Sequence, residues 1–183
     1  MRIISGLARG TKLYTLEGIN TRPTLDRIKE PLFSIIQNRI KDAIVLDLFS
    51  GSGALALEAL SRGAKKAILC DNSPKAIEVI NKNILKTHFE DKTKVVFKDY
   101  KKCLESLSEK IDLIFIDPPY EKNIAVDAVK NILDKGLIAE DGLIIVETDD
   151  EKREIEQIKK LNINICDLRT YGRVKLLFLS REG

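Results

Sequence analysis

The sequence predicts an α/β fold built on a mostly parallel, seven-stranded sheet, and three observations predict it. From Ala43 onward, short apolar runs alternate with amphipathic helical patterns, the order that a parallel sheet with crossover helices requires. The run Ile111-Asp-Leu-Ile-Phe-Ile116 is aliphatic and aromatic with a single charge, which suits a strand buried on both faces. The last two apolar runs are separated only by Thr170-Tyr-Gly-Arg-Val174, too short for a parallel crossover of roughly a dozen residues. They should form an antiparallel hairpin.

Taken in order, Arg2 to Ser5 reads as a short strand, followed by a Gly-punctuated turn and a second strand near Lys12 to Leu16. A helical turn over Thr24 to Lys29 should precede a separate helix with Pro31 at its first position, where a missing N–H costs least. In that helix Leu32, Ile35, Ile36 and Ile40 recur at helical spacing, and Arg39 and Lys41 stand at its end. Strands follow at Ile44–Leu48, Ala67–Cys70, Lys94–Phe97, Ile111–Ile116, Leu143–Glu147, Ile163–Arg169 and Lys175–Leu179. Helices fill the gaps at Ala54–Arg62, Pro74–Lys86, Tyr100–Ser108, Asn123–Lys135 and Asp150–Lys160. With no repeat and no linker, the expected organisation is a basic extension over residues 1–41 and one domain over residues 42–183.

Composition narrows the class of function. The chain has 183 residues, 44% hydrophobic and 32% charged, as in an ordinary soluble globular protein. No stretch approaches the roughly 20 apolar residues of a membrane span, and the first residues lack the apolar core of a signal peptide. Cys70, Cys103 and Cys166 are scattered, with neither zinc spacing nor a disulfide framework, so a reducing cytoplasm and a metal-free site are expected. The net charge of +3 is unevenly placed. Residues 1–41 carry eight basic side chains against three acidic ones, a surplus of +5, which leaves −2 for the remainder. A basic appendage on a near-neutral domain points to a phosphate-rich partner.

Two stretches carry chemistry. The strand Ile111–Ile116 breaks at Asp117-Pro118-Pro119-Tyr120, because neither proline donates a ladder hydrogen bond and Pro118 holds Asp117 extended. Ligands of open α/β sheets bind at the carboxyl ends of strands. A carboxylate, a free carbonyl and an aromatic ring on a stiff turn suit a flat, amino-bearing group. The second stretch, Ile44-Val-Leu-Asp-Leu-Phe-Ser-Gly-Ser-Gly-Ala-Leu-Ala56, is a buried strand, a glycine turn and a helix start. Gly51 and Gly53 admit close backbone approach, and a helix N-terminus favours an anion. Gly51, Gly53 and Ala56 also satisfy the dinucleotide pattern, so a nicotinamide oxidoreductase competes. Asp47 weighs against it, since it would repel a pyrophosphate but attract an ammonium. Asp71 and Asp99 follow the next two strands, completing four acids on one sheet edge.

Asp-Pro-Pro-Tyr after a buried strand resembles the signature of methyltransferases acting on exocyclic amino groups of nucleobases. Asp47-Leu-Phe-Ser-Gly-Ser-Gly53 resembles the cofactor motif of class I S-adenosylmethionine-dependent methyltransferases. That resemblance implies a Rossmann-like strand order of 3-2-1-4-5-7-6. It also implies backbone N–H groups around Ser50–Gly53 on the methionine carboxylate and Asp47 at its amino end. Asp71 and Asn72 would hold the ribose, Asp99 the adenine amino group, and Phe49 and Tyr100 would border the ring. Asp117, Pro118 and Tyr120 would be the catalytic set.

Three flanking segments, Met1-Arg-Ile-Ile-Ser-Gly-Leu-Ala-Arg-Gly10, Thr21-Arg-Pro-Thr-Leu-Asp-Arg-Ile-Lys-Glu30 and Tyr171-Gly-Arg-Val-Lys-Leu-Leu177, closely resemble the RsmD family. Its members methylate guanine N2 in bacterial 16S ribosomal RNA, within the small subunit or an assembly intermediate, and a monomer is expected. The resemblance makes Arg9, Arg22, Arg27, Arg173 and Lys175 candidate phosphate contacts. The competing readings are a DNA or other-RNA amino-methyltransferase and an RNA-binding assembly factor without turnover. His88, the one histidine, is expected at the surface.

Overall fold

The computed structural model describes residues 1–16, 23–119, 123–149 and 151–181, with residues 23–27 and 151 described by their backbone alone. Seven strands form one sheet: β1 (Ile44–Asp47), β2 (Lys66–Asp71), β3 (Thr93–Phe97), β4 (Ile111–Ile116), β5 (Ile138–Thr148), β6 (Asn164–Tyr171) and β7 (Val174–Ser180). Their order is β3-β2-β1-β4-β5-β7-β6, as expected. β1 to β5 run parallel, while β7 is antiparallel to both β5 and β6. The helices are α1 (Pro23–Ile35), α2 (Ala54–Ser61), α3 (Pro74–Thr87), α4 (Tyr100–Glu105), α5 (Ile124–Asp134) and α6 (Glu151–Ile158).

Side chains alternate across a strand, and the alternation sorts the core into two layers. Val45, Leu69, Leu113, Phe115, Leu143, Ile145 and Leu176 face one way, against residues 1–16, α1, α2 and α3. Leu46, Ile68, Ile114, Ile116, Ile144, Val146 and Leu177 face the other way, against α4, α5 and α6. The central strands are buried on both faces, which explains their unbroken apolar runs.

Three expectations are corrected. The two N-terminal strands shrink to a single antiparallel bridge between Arg2 and Lys12, with Ile3 N–H donating to Thr11 and Leu13 N–H to Met1. Ile4, Ser5, Leu7, Ala8 and Tyr14 donate instead to α2 and α3, while Arg9, Gly10 and Thr11 donate within the segment. Pro31 does not open a second helix; it lies inside the continuous α1. Its ring removes the bond that would reach the Arg27 carbonyl, at a cost of about 3 kcal/mol. Burying Ile28, Leu32 and Phe33 against the sheet, at about 1.5–3 kcal/mol each, outweighs that loss. β5 begins at Ile138, five residues before the expected start, because Glu140 and Asp141 are exposed strand residues rather than a loop.

Candidate active site at the carboxyl edge of the sheet

Because β1 to β4 are parallel, Asp47, Asp71, Asp99 and Asp117 all stand at one edge. Asp47 pairs with Leu69 on β2 and Phe115 on β4, so it sits between the strands that end in Asp71 and Asp117. Asp47, Asp71 and Asp117 continue the phase of Val45, Leu69 and Phe115, and so face the layer of α1 to α3.

Asp47 is the most constrained of the four. It is 3% exposed, and its Oδ2 is buried with no hydrogen-bond partner among the described residues. Burial pushes its carboxyl up from 3.8 to about 7; a hydrogen bond from the Ala56 backbone opposes the shift, and the Asp71 charge adds to it. An orphaned acceptor that resists ionisation is matched to a cationic ligand group, which would satisfy the oxygen and restore its charge.

The glycine turn is held in shape from both sides. Ser50 Oγ donates to the Asp47 carbonyl at 2.7 Å, and Ser50 N–H donates to the Cys70 carbonyl at 2.9 Å. Asp71 clamps the turn, accepting from Gly51 N–H and from Ser73 N–H, each at 2.9 Å. Gly53 N–H donates back to Ser50. Three of the N–H groups expected to meet a methionine carboxylate are thus engaged within the protein. The first turn of α2, at Ala54 and Leu55, offers donors that have no intrahelical acceptor. Gly51 has φ +55° and open space where a Cβ would stand, whereas a Cβ on Gly53 (φ +79°) would lie 2.9 Å from Leu69 Cδ2. Gly51 therefore leaves room for a ligand, and Gly53 lets the turn pack on β2.

Asp99 caps α4, accepting from the backbone N–H groups of Lys101 and Lys102 at 3.1 Å. Tyr100 packs against Phe49 with ring centroids 5.5 Å apart and planes tilted by 44°, and its hydroxyl donates to Asp127 Oδ2 at 2.7 Å. Burial raises the Tyr100 phenol, with Asp127 adding to the effect, while the same bond lowers the Asp127 carboxyl. The two rings form an edge beside Asp99 on which a flat heterocycle can rest. Asn72 is exposed next to Asp71. Pro118 is half-buried beside Asp117, and Tyr120 lies outside the described residues.

The family described as "Conserved hypothetical protein 95" matches residues 1–180. "Ribosomal RNA small subunit methyltransferase D" of Escherichia coli (strain K12) is 36% identical over 151 residues, 82% of this chain and 76% of that protein. The protein of the same name from Haemophilus influenzae is 36% identical over 156 residues, 83% of this chain and 80% of that one. The chain belongs to the RsmD family. Among solved structures, yhhF from Escherichia coli superposes with a TM-score of 0.85 at 33% identity, covering 100% of this chain and 98% of that one.

The N-terminal segment is anchored to the helix that carries the glycine turn. Ile4 and Ser5 N–H donate to the two Glu58 oxygens at 2.8 and 3.1 Å. Glu58, itself fully buried, also pairs with Lys29 at 3.2 Å and Arg62 at 2.8 Å. Lys29 donates in turn to the Arg2 carbonyl. Gly6 crosses α2 so closely that a Cβ would fall 1.8 Å from the Ser61 carbonyl oxygen. At the other end, Asn83 on α3 joins Tyr14 to the turn: it accepts from Tyr14 N–H at 2.8 Å and donates to the Ser52 carbonyl at 2.9 Å.

Among the described residues the candidate phosphate contacts are not gathered in one place. Thr148 at the end of β5 pairs with Lys175, so Lys175 and the exposed Arg173 lie at the same edge as Asp117. Arg9 is exposed in the loop bound to Ser61, one α2 length (roughly 12 Å) from the glycine turn. Arg22 and the Arg27 side chain lie outside the described residues. Among the described residues no group of three His, Cys, Asp or Glu side chains gathers as for a metal, and no helix is long and apolar enough to cross a membrane.

Sequence reasoning missed Glu58, Asn83, Asp127 and Glu147. Glu58, Asn83 and Asp127 lie in helices, where an acid or amide is unremarkable. Glu147 carried the signal already used for the four aspartates, an acid at the end of a buried strand.

Proposed function

We propose that this RsmD-family protein transfers a methyl group from S-adenosylmethionine to the exocyclic N2 of a guanine in 16S ribosomal RNA, in the small subunit or its assembly intermediate. The observation that carries the reading is an adjacency. Asp47, with its orphaned buried oxygen, stands on β1, and Asp117-Pro118 ends the neighbouring β4. Asp47 would meet the cofactor's ammonium, the N-terminal turn of α2 its carboxylate, Asp71 the ribose, and the Asp99, Phe49 and Tyr100 edge the adenine. The residues fit such a group, which when bound supplies an electrophilic methyl on a sulfonium centre.

The chain's own part is positioning. An amino group conjugated to a purine is a poor nucleophile, because its lone pair is delocalised into the ring. Asp117 accepts one N–H and the Pro118 carbonyl the other, favouring a pyramidal nitrogen with its lone pair directed at the methyl. Removal of an amino proton beforehand is beyond a carboxylate, so proton loss follows transfer. The family resemblance gives Tyr120 the role of stacking on the base, which must be splayed out of any helix to reach the edge.

The test is methyl transfer from labelled cofactor to small subunits, with the modified nucleoside identified by mass. Wild type gives N2-methylguanosine. Asp117→Ala lowers the rate by at least about a hundredfold while cofactor affinity is retained. Label at adenine or in duplex DNA would overturn the substrate assignment. Undiminished turnover in the variant would remove Asp117 from the mechanism.

A further inference from the structure

A narrow cleft opens beside Asp117 between α1 and the sheet, lined by Ile28, Lys29 and Leu32 on one wall and by Phe115, Glu147 and Leu176 on the other. Its interior space of about 10 Å³ admits no more than about one water molecule, so a base can present only an edge to it. Ile116 pairs with Val146, and Asp117 and Glu147 follow them as neighbours on strands about 4.8 Å apart. Glu147 continues the phase of Leu143 and Ile145, so its side chain shares a face with Asp117. It is only 8% exposed, yet it lines the cleft. Two carboxylates this close repel each other, so a ligand that donates to both is favoured there; Lys29, whose ammonium pairs with Glu58, also lines the cleft.

We propose that Glu147 is the residue that selects guanine, by accepting a hydrogen bond from the ring N1–H while Asp117 and the Pro118 carbonyl hold the adjacent N2 amino group. The inference rests on the guanine-N2 reading above. The chemistry of the base edges favours it. Guanine carries two adjacent donors, N1–H and the N2 amino group, and two neighbouring acceptor groups on β4 and β5 complement them. Adenine and 2-aminopurine present an acceptor at N1, which would face the Glu147 carboxylate lone pair to lone pair. An acceptor set against an acceptor at a buried base edge discriminates far more strongly than a change in apolar fit. Glu147 acts as a specificity residue, whereas Asp117 positions the reacting nitrogen.

The experiment uses the full chain with small subunits reconstituted to carry either guanine or 2-aminopurine at the methylated position. Both bases keep the reacting amino group and differ in N1–H and O6. Wild type should prefer guanine in kcat/KM by roughly a hundredfold or more. Glu147→Gln, whose amide can donate to an N1 acceptor, should slow the guanine substrate about tenfold and speed the 2-aminopurine substrate, so that the preference shrinks to within about tenfold. Its cofactor affinity should match wild type. A wild-type enzyme that treats the two bases alike would overturn the inference without recourse to a variant. So would a Glu147→Gln enzyme in which both rates fall in proportion. If wild type forms no N2-methylguanosine on guanine-bearing subunits, the functional reading itself fails, an outcome separate from both of these.

Discussion

Replacing Asp47 by Asn separates what this side chain costs the fold from what it gives the ligand. In the protein without cofactor the Asp47 carboxyl titrates near 7 rather than 3.8, chiefly because it is buried. A group whose folded pKa is raised contributes stability that is complete below the unfolded pKa and is lost as pH rises through the folded one. For Asp47 that window runs from about pH 4 to about pH 7. Between pH 5 and pH 8 the loss integrates to between about 2 and 3 kcal/mol, from roughly 1.4 kcal/mol per pH unit across the part of the window above pH 5. Asn does not titrate, so its fold lacks this slope, although its buried amide N–H₂ adds a pH-independent cost of about 1–3 kcal/mol. The assay is urea unfolding of both proteins at pH 5 and pH 8, with cofactor binding measured by calorimetry at each pH. The wild-type free energy should fall by about 2–3 kcal/mol more than that of Asp47→Asn. Wild-type cofactor affinity should rise with pH as the carboxylate forms, while the Asn variant binds weakly at both values. Parallel stability profiles would refute the argument, since the buried oxygen would then not be what resists ionisation.

Glu58→Ala should cost about 3–5 kcal/mol in urea unfolding, because it removes the carboxylate that pairs with the buried Lys29 ammonium and accepts from two backbone donors. Asn83→Ala should destabilise by about 1–3 kcal/mol and also weaken cofactor binding in calorimetry, since the Ser52 carbonyl loses its donor within the glycine turn. Tyr100→Phe should keep the ring contact with Phe49, lose about 0.5–1.5 kcal/mol of stability, and let the Asp127 carboxyl titrate closer to its ordinary range, as read by NMR.

The sheet was legible because its signal is local. Runs such as Leu113–Ile116 and Ile144–Val146 are apolar on every residue only if both faces are covered, and the five residues between the last two apolar runs, of which only Gly172 and Arg173 stay outside β6 and β7, leave no alternative to a hairpin. The four aspartates at the strand ends could be placed for the same reason. What escaped notice depends on pairs far apart in sequence. Nothing near Lys29 announces that its ammonium meets Glu58, and nothing in Ile138-Ala-Glu-Asp-Gly142 distinguishes an edge-exposed strand from a polar loop. Pro31 misled because the rule against interior proline is a statement about local cost. The burial of Ile28, Leu32 and Phe33 that offsets it is tertiary.

The first strapped residues have a history imposed by synthesis. Ile4, Ala8 and Tyr14 find their acceptors in Glu58, Ser61 and Asn83, 54, 53 and 69 positions downstream. As the chain emerges from the ribosome, these three amides therefore lack their acceptors until α2 and then α3 have followed them out. Contacts of such long range form late. A segment made before α2 and α3 settles after them, and the glycine turn reaches its final shape only when that segment returns to lock it.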